Sequence, residues 1–112
     1  MSEQLIKDGK LIHYVMFWLK PGLSVEEIDR FKGFFEQLKT ISSVASFTYG
    51  RAAGTEKREV VDNSFSYAMF AEFATLQDHE SYQTDPVHLN AIEEYSKYWE
   101  KVVVHDTQLI TP

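Results

Sequence analysis

The run Leu11-Ile-His-Tyr-Val-Met-Phe-Trp-Leu19 limits the possible folds more than any other segment, because both of its alternating residue sets are apolar. Drawn as a strand, it places Leu11, Val15, Phe17 and Leu19 on one face with His13 among them, and Ile12, Tyr14, Met16 and Trp18 on the other. A strand of this kind must be covered on both faces. The run is about half the length of a membrane-spanning helix. It holds a histidine and closes at Lys20-Pro21-Gly22 without a small-residue cleavage pattern, so neither a membrane span nor a signal peptide is expected.

Around this strand the remaining signals fall into order. Residues 1–10 are polar and read as an N-terminal tail ahead of one domain over residues 11–109. Pro21-Gly22 breaks the strand, and Ser24-Val-Glu-Glu27 has the form of a capping box, with Leu23 and Ile28 placed as its hydrophobic staple. The helix that follows carries Ile28, Phe31, Phe34 or Phe35, Leu38 and Ile41 as one apolar stripe and ends at Ser42-Ser43. A second strand, Val44 to Tyr49, stops at Gly50, and residues 51–64 form a charged, exposed loop. Phe65 to Phe73 is a third strand, again apolar on both sets, which belongs beside the first in the middle of the sheet. Thr75 with Asp78 caps a short helix, and Asp85-Pro86 starts another whose stripe is Leu89, Ile92, Tyr95 and Trp99. Val102 to Leu109 is the last strand. The order strand, helix, strand, strand, helix, strand is the split βαβ pattern of ferredoxin-like α+β folds, a four-stranded antiparallel sheet with helices on one face.

The two helical segments can cover one face of that sheet, and the other needs another cover. The uncovered face, holding Trp18 or its opposite-face neighbours, would exceed the few hundred Å² of apolar patch that soluble monomers usually expose. A homodimer with two sheets face to face about a two-fold axis is therefore expected. The formal charge of −6, without a basic cluster, argues against a nucleic-acid partner. The absence of cysteine removes disulfides, thiolate nucleophiles and Cys-based metal sites, and a cytoplasmic location is the expectation.

The residues with chemistry to offer are few. Tyr82-Gln-Thr-Asp-Pro-Val-His88 sets a phenol and an imidazole around a helix start, and such a pair can act as acid or base towards an enolisable carbon or a carbonyl. The plainer alternative is that Tyr82 packs under the helix while His88 caps its first turn. His13, carried by an apolar strand, reaches a cavity near Phe31, Phe35 and Ile92 if its face looks towards the helices. Asp106 orients that imidazole if the first and last strands are neighbours. Trp99 belongs with Phe31, Phe34, Phe35, Tyr95 and Tyr98 to an aromatic set that forms either core or the wall of a pocket for a small hydrophobic or aromatic ligand. His13, His79, His88 and His105 show no HxH or HExxH spacing, so no metal and no other cofactor is expected.

Taken together, His13-Tyr-Val-Met-Phe-Trp-Leu19, Gly50 after the second strand, Phe73 with Tyr82, Asp85-Pro86-Val-His88 and Val102-Val-Val-His-Asp106 resemble the Dabb family of stress-responsive dimeric α/β-barrel proteins over residues 11–109. The resemblance implies a ferredoxin-like subunit and a homodimer whose sheets form a barrel. The family includes plant stress proteins without a settled catalytic role and a cofactor-free plant polyketide cyclase. The cyclase resemblance implies catalytic roles for Tyr82 and His88, with His13 and Asp106 in its pocket, while Phe35 stands where the cyclase has a pocket tyrosine. The broader superfamily is similar to cofactor-independent monooxygenases and lactone isomerases in fold, and fold alone does not carry function. The expectation is thus a small-molecule pocket with cofactor-free, cyclase- or lyase-like acid/base chemistry on a carbonyl substrate. The alternatives are a non-catalytic stress-response or ligand-binding protein and a monooxygenase-like enzyme.

Overall fold

The computed structural model describes residues 7–111. Its strands and helices follow in the order β1 Lys7–Leu19, α1 Val25–Arg30, α2 Lys32–Leu38, β2 Ser46–Arg51, β3 Tyr67–Phe73, α3 Leu76–Thr84, α4 Pro86–Tyr95 and, after a 3-10 turn at Ser96–Tyr98, β4 Trp99–Thr111. The four strands form one antiparallel sheet in the order β2-β3-β1-β4, with the helices on one face, which is the ferredoxin-like arrangement. The two strands that are apolar on both sets, β1 and β3, occupy the centre as expected. Among the described residues no helix is long and apolar enough to cross a membrane.

Local chemistry accounts for most of the element ends. Gly22 takes φ 86°, a conformation that favours glycine, and so closes the Pro21-Gly22 turn. Ser24 and Glu27 form the reciprocal capping box at 3.1 and 3.0 Å. Thr75 accepts from the Asp78 amide, and Asp85 accepts from the Val87 amide with Pro86 in the first turn.

Several elements differ from the sequence expectation, β3 starting at Tyr67 rather than Phe65 and β4 at Trp99 rather than Val102 among them. β1 begins at Lys7 rather than Leu11, because polar residues of the expected tail pair with the far end of β4; residues 1–6 of that tail lie outside the described residues. Gly9 permits this pairing, since a Cβ there would stand 2.7 Å from the Leu109 carbonyl oxygen. The first helix is two pieces joined at Phe31, where the Phe34 amide bonds to the Phe31 carbonyl at 3.0 Å and tightens the turn. β2 starts at Ser46, because Val44 is spent in a turn back to the Ile41 carbonyl. On α4, Leu89 is 55% exposed, and the inward stripe is His88, Ala91, Ile92 and Tyr95, turned from the expected one to take in a polar side chain, while the expected Trp99 begins β4 instead.

The core lies between the sheet and the helices. Phe31, Phe35, Ala71, Phe73 and Ala91 are fully enclosed, and Phe31 contacts Phe17, Phe34, Phe35, Tyr67 and Tyr95 at ring distances of 5.4 to 5.9 Å. Truncating such a ring to alanine costs about 3–5 kcal/mol. α2 and α4 approach each other closely at Gly33, where an added Cβ would collide with the Tyr95 hydroxyl. The other face of the sheet has no helix over it. There Tyr14 packs edge-on to Phe70 at 4.5 Å, Met16 lies between Ala68 and Val103 in register, and Phe70 is 43% exposed.

Candidate functional site

His13 lies on the helix-facing side of β1, paired across the sheet with Ala71 on β3 and Asp106 on β4. Among the described residues it is the one buried polar side chain, 5% exposed. Its Nδ1 meets Asp106 Oδ1 at 2.6 Å, so the expected orienting contact is formed. A carboxylate only accepts, so Nδ1 donates the proton of this contact and Nε2 points away from Asp106. Asp106 is not buried; it sits half-exposed at the open edge of the sheet.

α3 brings Tyr82 beneath His13, with ring centroids 5.8 Å apart. The start of α4 then brings His88 against Tyr82 at 4.6 Å and an interplanar angle of 57°. Asp85 and Pro86 make this juxtaposition, because the chain must turn between a residue at the end of α3 and one in the first turn of α4. The pair is in ring contact, and no hydrogen bond joins the two side chains among the described residues. The alternative in which His88 caps the helix is not what forms: Asp85 is the cap, and His88 Nδ1 is enclosed with no hydrogen-bond partner among the described residues.

Burial acts on Tyr82, on His88 and on His79 of α3. It pushes the Tyr82 phenol well above its ordinary range. Burial, and then the nearby His13, push the His88 imidazole down, while the Gln83 backbone pulls it the other way. The same two causes lower His79.

These side chains border a cavity of about 160 Å³. His13, Tyr82, Gln83 and His88 give it a polar end, and Phe34, Ile92, Trp99 and Val104 are among its apolar walls. Of the residues expected to line a pocket, His13, Phe34, Ile92 and Trp99 do so, whereas Phe31, Phe35, Tyr95, Tyr98 and Asp106 do not: the tightened turn at Phe31 aims Phe31 and Phe35 into the closed core, where Phe35 stacks on Tyr49 at 4.6 Å.

Sequence reasoning assigned no role to His79. α3 sets its ring 4.9 Å from that of His13, and Gln83 Nε2 reaches its Nε2 at 3.0 Å. One ligand atom from each of His13, His79 and Asp106 lies within 4.8 Å of the others. No spacing rule finds this cluster, because its members come from β1, α3 and β4. The i, i+3 relation of His79 to Tyr82 on α3 was the available signal.

Residues 11–109 match the family profile described as Stress responsive A/B Barrel Domain, or Dabb. Among solved structures, a hydroxynitrile lyase from Passiflora edulis is 23% identical with a TM-score of 0.77, the match covering 92% of this chain and 95% of that one. A dimeric protein of unknown function with a ferredoxin-like fold from Bacteroides fragilis is 25% identical, with a TM-score of 0.69 and coverage of 90% and 97%. A Dabb family protein with a ferredoxin-like fold from Mesorhizobium loti is 24% identical, with a TM-score of 0.73 and coverage of 88% and 95%. No curated protein sequence matches the chain.

Proposed function

This chain belongs to the stress responsive A/B barrel domain family, and from that premise we propose that it is a homodimeric small-molecule-binding protein that performs acid/base chemistry, cyclase- or lyase-like, on a small carbonyl compound. The observation that carries the reading is the Tyr82–His88 contact at the wall of a mainly apolar cavity. Burial keeps the phenol protonated and the imidazole neutral, so Tyr82 is the donor and His88 the base. A carbonyl oxygen near the Tyr82 hydroxyl accepts its hydrogen bond while His88 removes a proton from the adjacent carbon. His13, held by Asp106, steadies the polar end.

Size narrows the ligand. A dry cavity of about 150 Å³ holds one benzene, and the 160 Å³ here is of that order, which favours a single ring or a short acyl chain. The Passiflora edulis relative, a hydroxynitrile lyase, is a case in which this fold carries a lyase. The homodimer rests on the helix-free sheet face around Tyr14, Met16 and Phe70, and on relatives described as dimeric. The lack of a direct Tyr82–His88 hydrogen bond favours a second reading, a protein that binds a ligand in the same cavity without turning it over.

A thermal-shift comparison of wild type, Tyr82→Phe and His88→Ala against phenolic acids, diketones, lactones and acyl thioesters tests the reading. A ligand at a hundred times its Kd stabilises by about 2.7 kcal/mol. One class is expected to raise the melting temperature of wild type and to do so less in both variants. No stabilisation by any class, with both variants simply melting earlier, would make the pair structural.

A further inference from the structure

The geometry points to a divalent transition-metal site formed by His13, His79 and Asp106 beside the polar end of the cavity. This goes beyond the acid/base reading, and neither depends on the other. Two imidazoles and a carboxylate converge from β1, α3 and β4 with one donor atom of each within 4.8 Å of the others, a set that suits zinc, cobalt or iron(II).

The packing around the cluster supports a cation rather than a closed polar network. The two imidazole rings stand 4.9 Å apart. Gln83 offers its amide to His79 Nε2, yet the His13 nitrogen opposite Asp106 has no such donor among the described residues. One donor atom from each imidazole and one carboxylate oxygen stand close enough together for a single cation to take all three. Asp106 supplies the charge, and its half-exposed position at the sheet edge gives an ion a way in. The price of entry is the 2.6 Å His13–Asp106 bond, which must open as the ion takes up both groups. Three protein ligands leave a position for water or for a substrate oxygen, next to the wall that His13 contributes to the cavity.

The test uses tag-free protein stripped with chelator and titrated with Zn²⁺ by calorimetry and with Co²⁺ by visible absorption. Wild type is expected to bind one ion per chain, to show the ligand-field bands of nitrogen- and oxygen-bound cobalt, and to bind more weakly as pH falls. His79→Ala is expected to weaken binding by at least about tenfold. His105→Ala, on the helix-free face, is expected to bind as wild type does. Absence of saturable binding, or binding that His79→Ala leaves intact, overturns the site. Asp106→Asn, at the exposed edge, repeats the comparison if His79→Ala does not fold. Failure here leaves the ligand response of Tyr82→Phe and His88→Ala untouched, so the two proposals fail separately.

Discussion

Burial acts on Tyr82 and His88 in opposite senses, raising the phenol and lowering the imidazole, and both shifts hold the neutral form. The linkage has a definite sign. An imidazole whose pKa is depressed in the folded state binds its proton more weakly there than in the unfolded chain, so stability is full above the ordinary value of 6.5 and is lost as pH falls below it. Urea unfolding of wild type from pH 8 to pH 5 is expected to show that loss, and His88→Gln is expected to show less of it. Greater stability on acidification through this window would contradict the account. The carboxylates lowered by capping and ion pairs, such as Glu27 and Glu72, titrate below their ordinary 4.5 and stay outside this window. Tyr82 and His88 were legible as candidates because they flank the helix start at Asp85-Pro86, His13 because it interrupts an apolar strand, and Asp106 because the last strand can lie beside the first. The cluster with His79 was not, because it exists only once three separate elements are assembled.

Capping chemistry made the element starts at Ser24, Thr75 and Asp85 readable, since each is a contact between neighbours in sequence. The break at Phe31 and the rotation of α4 were not readable. Both follow from long-range packing: α2 must seat Phe31 and Phe35 in the core and Phe34 at the cavity, and α4 must turn His88 inward and leave Leu89 outside. Gly33 is where those two helices meet. Alanine is favoured over glycine in a helix by about 1 kcal/mol, yet Gly33→Ala puts a methyl group against the hydroxyl of a Tyr95 ring wedged between Phe31 and Phe34. Gly33→Ala is expected to lower stability by about 1–3 kcal/mol, the usual range for overpacking. Adding Tyr95→Phe, which removes the colliding oxygen, should restore part of it. Chemical denaturation of the single and double variants measures this, and a stabilised Gly33→Ala would mean that the helices are not held at that distance.

The apolar pattern on both faces of β1 and β3 carried the most information about the molecule as a whole. It fixed their central place in the sheet and left one face of the sheet without a helix. In the proposed dimer that face is buried against its copy, so light scattering is expected to return a dimer for wild type at micromolar concentration and a monomer for Phe70→Asp. A wild-type monomer would contradict the assembly. The lower end of the cavity's function, binding, and its upper end, chemistry, separate in one experiment: proton NMR of small aryl ketones and diketones in D₂O with the protein present. The account predicts that wild type speeds deuterium exchange at the carbon next to the carbonyl for at least one compound. Tyr82→Phe and His88→Ala should each lose about a hundredfold or more of that rate, the scale of a positioned acid or base. Exchange at the uncatalysed rate with a compound that demonstrably binds, or equal exchange in wild type and both variants, would contradict the claim that these two residues do acid/base work.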